Sequence, residues 1–378
     1  MSGVGPRAVG LPTIIREWGR IGVIGFGGPP AHVALLHDLV VERRAWLDHR
    51  EFEDANAACG LLPGPASTQL AIYCAHRVAG VSGAVAGGVA FILPGLALIL
   101  VLAAGSLAGR PPEWLLAVAA GAGAAVVPVV AHAGLSLARG SVGGVRLVYA
   151  LAGAAAAILI GPYVVAVLLA CGVVELARRR AARFAVHVWP LALAMAAYGA
   201  SELPALAWTA LKVGALSYGG GFVIIPLMRG DAVDAYGWMT DAEFLNAVAF
   251  GQLTPGPVTQ TVAVVGYAAA GIGGALVAAF VAFVPSFLAI LLGGRRFEQL
   301  RTSPRARAFL DGAGPAAVGA IVGAAVPLAA GLSEIWMVAV AITAAVALAL
   351  RRPPILVLLA GALAGLLGVL VLGFSSPS

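Results

Sequence analysis

LLPGPASTQ at residues 61–69 and LTPGPVTQT at residues 253–261 decide how this chain folds. Proline suits the first position of a helix and pushes the residue before it out of helical conformation. Each Pro-Gly-Pro therefore reads as an extended turn from which a new helix starts. Apolar sequence surrounds both turns, so these helices begin inside a nonpolar medium. A helix start leaves backbone N–H groups unpaired and, with the helix dipole, presents about half a positive charge. Gly64, Pro65, Ser67 and Thr68 in the first turn, and Gly256, Pro257, Thr259 and Gln260 in the second, are thus candidate anion ligands. Gln69 stands four residues after its proline and Gln260 three after, so the two copies do not carry identical donor sets.

The turns belong to a longer duplication. At a shift of 192 residues, Gly22 matches Gly214, Gly27 and Gly28 match Gly219 and Gly220, Trp46 matches Trp238, and Glu51-Phe52 match Glu243-Phe244. After a one-residue slip, Ala79-Gly80 match Ala270-Gly271, Gly83-Ala84 match Gly274-Ala275, and Pro94 matches Pro285. A fixed period of this kind signals repeated structural units. The reading gives a first repeat at 11–180, a linking span at 184–202 and a second repeat at 203–374.

Composition supplies the medium. Apolar residues make up 61% of the 378-residue chain and charged residues 11%, against roughly 25% charged in soluble domains. Such a stock cannot cover a water-facing surface, and the 50 glycines and 23 prolines lie scattered through Ala/Val/Leu runs, as membrane helices tolerate them. The fold class is an all-α polytopic membrane protein. Arginines stand singly or in short clusters rather than on one basic face, which excludes nucleic acid as a partner. Cys59, Cys74 and Cys171 form no CxxC pair and have no histidine at ligand spacing, so neither disulfide nor metal is expected. Phosphate-loop, zinc-helix and nucleophile-elbow motifs are absent; the chain does not read as an enzyme, and no cofactor is expected.

Charge sets the orientation. Arg43, Arg44 and Arg50 follow the first broken segment, whereas its copy has only Arg229; Arg110 faces a copy bearing Arg295, Arg296, Arg301, Arg305 and Arg307. The bias keeps alternating: Arg139 and Arg146 match an arginine-free loop, Gly161-Pro162 match Arg351 and Arg352, and Arg178, Arg179, Arg180 and Arg183 match an arginine-free tail. By the positive-inside rule the second repeat is inserted upside down relative to the first. If the broken segments, residues 11–80 and 203–271, are re-entrant hairpins rather than full spans, inversion puts every loop on its preferred side. The expectation is nine full spans and four hairpins, with a cytoplasmic N-terminus and an external C-terminus. Inverted repeats with discontinuous helices meet at a midplane substrate site in many secondary transporters.

Two cations occupy matched positions in this scheme. Lys212, the only lysine, lies in the apolar stretch LPALAWTALKVGALSYGGG, and its partner at the 192-residue shift is Arg20. A basic group at a bilayer centre costs at least roughly 2.5–3.5 kcal/mol, so a matched pair points to something anionic between them. Gly27-Gly28 and Gly219-Gly220 read as the tips of the other hairpins, where a bare backbone can approach a ligand. His32, just beyond the first tip, is a candidate donor to the anion or carrier of a coupling proton. No intramembrane carboxylate relay is evident. Arg77 reads as a topology anchor.

Phe26-Gly27-Gly28-Pro29 with His32, then Trp46, Phe52 and Leu62-Pro63-Gly64-Pro65 with Ser67, resembles the chromate ion transporter family. Tyr218-Gly219-Gly220-Gly221, Trp238, Phe244 and Thr254-Pro255-Gly256-Pro257 look like the second domain of its long, two-domain members. The resemblance covers nearly the whole chain and implies export of chromate, a tetrahedral dianion shaped like sulfate, across a bacterial cytoplasmic membrane, conferring chromate resistance. Substrate oxyanion and membrane lipid are the expected partners, with a homodimer as one possible assembly. Alternative readings are a small-anion channel, a sulfate-type uptake carrier and a membrane-embedded enzyme on a phosphate-bearing lipid.

Overall fold

The structure, a computed structural model, describes residues 9–60, 62, 64–141, 143–179, 202–217, 221–293 and 303–372. Within them the chain forms fourteen helices and no strand. The first half contains α1 (Leu11–Ile24), α2 (Pro29–His37), α3 (His49–Cys59), α4 (Ala66–Ser106), α5 (Glu113–Ser141), α6 (Val145–Leu159) and α7 (Val164–Arg178). The second contains α8 (Glu202–Leu216), α9 (Ile224–Arg229), α10 (Asp241–Leu253), α11 (Thr261–Gly293), α12 (Pro304–Ala329), α13 (Ile335–Ala349) and α14 (Pro354–Leu372). Residues 184–201 of the expected linking span, and Gly219 and Gly220, lie outside the described residues. Leu159, Phe280, Leu292 and Ile335 face outward and are more than 70% exposed, which a lipid surround accommodates and water does not. The chain is a polytopic all-α membrane protein.

The sequence-matched segments take the same local structure. α2 and α9 each run into a π-helical turn, Asp38–Arg43 and Gly230–Ala235, closed by Arg44 N–H to the Leu39 carbonyl (3.1 Å) and Tyr236 N–H to the Asp231 carbonyl (2.9 Å). α3 is capped by Asp48, whose carboxylate accepts from Glu51 N–H (2.7 Å), and α10 by Thr240 in a reciprocal capping box with Glu243. α4 and α11 are each broken by a left-handed glycine, Gly80 (φ 67°) and Gly271 (φ 61°). These breaks reverse the chain. A side chain at Gly87 would lie 2.5 Å from Ala75 Cβ, and one at Gly266 would lie 2.8 Å from Ala278 Cβ, although a straight helix puts residues twelve apart about 18 Å from each other. Residues 66–78 therefore form a separate helix of about 20 Å, too short for a hydrocarbon core of roughly 30 Å.

Ion pairs close the first hairpin of each half, with roles exchanged. Glu17 of α1 is buried and meets Arg44 (2.5 Å), Arg16 (3.3 Å) and Arg43 (3.6 Å). In the second half the cation sits on the long helix: Lys212 Nζ of α8 lies 2.5 Å from Asp231 Oδ2, to which Thr209 Oγ1 also donates (2.6 Å). Both charges are buried, and Trp208 lies 5.8 Å from the ammonium.

Backbone contacts interlock the halves. α6 and α7 of the first half pack on α12 of the second, while α13 and α14 of the second pack on α5 of the first. Without a hydrophobic drive between helices in lipid, such pairs are held by close van der Waals contact, which small residues permit. A Cβ at Gly153 would overlap the Ala316 carbonyl, one at Gly319 the Ala150 carbonyl, and one at Gly121 the Gly361 carbonyl.

Among the described residues six helical stretches are long and apolar enough to cross a membrane. Two further apolar helices, α6 and α13, have only 15 residues each. Their length of about 22 Å falls below the hydrocarbon thickness. Positive-φ residues end them, Gly161 (φ 33°) and Arg351 (φ 61°) just past the two C-termini.

Two outcomes test this architecture. Gly153→Val, which must force α6 from α12, should cost about 1–3 kcal/mol of overpacking and lower the midpoint of thermal unfolding in detergent, whereas Gly273→Ala, which meets nothing within 4 Å, should not. Asp231→Asn leaves the Lys212 ammonium buried and uncompensated, at a cost of about 3–5 kcal/mol; adding Lys212→Met should restore most of it. A double variant no more stable than Asp231→Asn alone would show that the pair is not a clamp.

Candidate functional site

The described residues of the two turns, Gly64-Pro65 and Pro255-Gly256-Pro257, each pack against the opposite half of the chain; Pro63 lies outside the described residues. Gly64 has φ 121°, and a side chain there would lie 2.5 Å from Gln69 Nε2, 3.3 Å from the Gly214 carbonyl and 3.3 Å from Ser286 Oγ. Gly256 has φ 94° and its N–H donates to the Gly25 carbonyl of the opposite half (3.0 Å). The Pro255 carbonyl packs against Gly95 so closely that a Cβ there would overlap it. Gly95 and Ser286 follow Pro94 and Pro285, the matched prolines of α4 and α11. Each turn thus docks on the other half's helix one residue past its proline. Only glycine satisfies both the left-handed backbone and the close approach.

Helices start at both turns. Pro65 is extended (φ −69°, ψ 101°) and α4 begins at Ala66 with no side-chain cap. Pro257 is likewise extended (φ −67°, ψ 130°), but a 3-10 turn, Val258–Gln260, precedes α11. That tighter turn absorbs the missing residue: both glutamines come back toward their own glycine, Gln260 Nε2 lying 3.1 Å from a Cβ position on Gly256. Gln260 Nε2 also donates to the Ile92 carbonyl across the junction (2.9 Å). Thr68 Oγ1, Thr259 Oγ1 and Ser286 Oγ are buried with no hydrogen-bond partner among the described residues. Unpaired buried hydroxyls are costly and need an explanation.

A cavity of about 1390 Å³ leads to this junction. One face of α2 (Pro30, Ala34, His37) and one of α3 (Glu53, Asn56, Gly60) line its sides, and Gly27, Gly28, Ser67, Gln252 and Val258 its inner end. Polar groups gather at the mouth, including Asp38, Glu42 and His132.

Several expected ligands are placed differently. His32 is fully buried and both ring nitrogens are engaged. Nε2 lies 2.9 Å from the Gly25 carbonyl and Nδ1 3.1 Å from Ser67 Oγ, so the neutral ring donates to Gly25 and accepts from Ser67. Gly25 is therefore a hub, accepting from His32 and from Gly256. Phe91 holds the imidazole edge-on at 5.0 Å. The matched cations do not share a hollow: Arg20 lies on the exposed side of α1, Lys212 is paired with Asp231, and neither lines the cavity. Sequence reading gave Lys212 no partner because Asp231 is nineteen residues away, brought back only by the hairpin. Asp231 is thus a fully buried carboxylate where none was expected. Ser286 and Gln252 were also missed; a hydroxyl beside a mid-helix proline was the available signal for Ser286.

A model of the chromate transporter family matches residues 12–176 and 204–366. The chain is 34% identical to the chromate transport protein of Cupriavidus metallidurans over 84% of this chain and 82% of that protein. It is 31% identical to a probable chromate transport protein of Synechococcus elongatus, over 85% of each. A further relative, an uncharacterized transporter of the archaeon Methanocaldococcus jannaschii, is 26% identical over 76% of this chain and 77% of the relative. No solved structure matches. The family match extends over both halves of the chain, and with it the Pro-Gly-Pro turns, the junction and the cavity fall within the matched residues: this chain belongs to the chromate transporter family.

Proposed function

We propose that the chain exports chromate, or a related tetrahedral oxyanion such as sulfate, across a bacterial cytoplasmic membrane by alternating access. In this reading residues 11–180 and 203–374 are inverted repeats joined by a span at 184–202, and the substrate sits between the two Pro-Gly-Pro turns. The observation that carries it is the junction itself: two helix starts, two left-handed glycines and the unpartnered buried hydroxyls of Thr68, Thr259 and Ser286, with a cavity that reaches Ser67 and Val258 beside them. Hydroxyls and helix-start N–H groups are neutral donors suited to a compact dianion, and the dipole adds partial positive charge without a buried cation.

Gly64, Pro65, Ser67, Thr68, Gly256, Pro257, Thr259, Gln260, Gly27 and Gly28 remain the candidate ligands. His32 is a positioning residue that ties the hairpin tip to the start of α4. Arg20 and Lys212 fall outside the proposed site, since one faces outward and the other is neutralised by Asp231. Arg139 and Arg351 lie beside the cavity mouth, where they share a smaller recess with His132. By the positive-inside rule that face is cytoplasmic, so the cavity is an inward-open vestibule. Expelling a dianion from a cell negative inside is favourable by about 4.6 kcal/mol per 100 mV, so the potential alone suffices for export; uptake needs a coupled cation or proton.

Thr68→Val and Thr259→Val remove hydroxyls that no protein group satisfies while keeping shape. Together they should leave thermal stability unchanged or raised and lower oxyanion uptake into inverted vesicles at least about 10-fold. Full uptake by the double variant would remove the junction from the site. Asn56→Cys, on the vestibule wall, should react with a membrane-impermeant thiol reagent in inverted vesicles and not in right-side-out ones; the native thiols are buried and serve as background. The opposite pattern would reverse the orientation.

A further inference from the structure

Where the vestibule meets the surface, three side chains with ligating atoms converge. His49 and Glu53 stand one turn apart on α3, and His37 closes α2. His37 Nε2 lies 3.0 Å from His49 Nδ1, and the ligating atoms of all three residues lie within 4.8 Å of one another. Two nitrogens bound to one tetrahedral zinc-like ion are roughly 3.3 Å apart, given bond lengths of about 2.0–2.1 Å. The pair is already near that spacing. The other nitrogen of His37, Nδ1, faces Glu42 Oε1 at 3.9 Å, where an outer carboxylate orients a ligating imidazole. Phe52, fully buried, meets the His37 ring edge-on at 5.1 Å and fixes its plane.

We propose that His37, His49 and Glu53 bind a divalent transition metal ion of the zinc class at the vestibule mouth. Two imidazoles and one carboxylate suit zinc and its neighbours better than magnesium or calcium, which prefer all-oxygen shells. Three protein ligands leave a fourth position for water or an anion. His37 and Glu53 both line the vestibule, and Asp38 and Glu42 add negative charge there. A divalent ion offsets that charge on the path of an entering dianion and ties α2 to α3, so it bears on access as well as on packing.

The test uses full-length protein in detergent, freed of any affinity tag and titrated with Zn²⁺ alone by calorimetry. About one equivalent should bind saturably, the affinity should fall at least about 10-fold in His49→Ala and in Glu53→Gln, and His76→Ala should bind as wild type. Zn²⁺ should also raise the unfolding midpoint of the wild type and not that of His49→Ala. Both ligand substitutions alter exposed side chains, so the fold is retained, and the readout does not depend on transport. Absence of saturable binding, or equal affinity in the wild type and a His49→Ala, Glu53→Gln double variant, overturns the proposal.

Discussion

A chain that stops being helical inside an apolar core leaves peptide groups with no water to satisfy them, and the junction of this molecule is arranged around that constraint. The Gly25 carbonyl shows the solution most directly. It accepts from His32 within its own hairpin and from Gly256 N–H in the opposite half, so one unpaired group of each broken segment is satisfied by the other. Gln260 repeats the device by donating to the Ile92 carbonyl of α4, two residues before Pro94. Neither half can complete its own turns. The glycine-paved helix contacts, α6 on α12 and α14 on α5, hold the two in register so that these exchanges persist.

Much of this is written in local chemistry that a sequence displays. The Pro-Gly-Pro starts, the left-handed reversals at Gly80 and Gly271 and the matched prolines of α4 and α11 all depend on residue types with narrow backbone preferences, and these appear where such residues stand. Electrostatics was legible only in part. A buried cation is visible in sequence, but its partner is a matter of three-dimensional return: Asp231 reaches Lys212 only through the π-turn after α9, and Glu17 finds Arg43 and Arg44 the same way. Reading Lys212 as a substrate ligand followed from seeing one member of its pair, and Arg20, its sequence match, faces outward instead. The engagement of His32 was not legible, because both of its hydrogen-bond partners, the Gly25 carbonyl and the Ser67 hydroxyl, come from outside its own helix.

The vestibule owes its course to the same hairpins. α2 and α3 line it together and touch where His37 meets His49 and Phe52, and small residues such as Ala34 and Gly60 leave the space that bulkier side chains would fill. In the second half the corresponding stretch is closed: Met228, Asp231 and Ala232 are buried, and the ion pair of Lys212 and Asp231 lies between α8 and the π-turn. The two halves thus differ in packing, and the asymmetry arises from side-chain size and from which segment of the hairpin carries the acid.

The residue missing after Pro257 leaves the two helix starts chemically unequal. Because a 3-10 turn stands in for the first step of a regular helix, Val258–Gln260 lay out their N–H groups on a tighter spiral than Ala66–Thr68 do. Anything lodged between the two starts would therefore meet two different donor arrays.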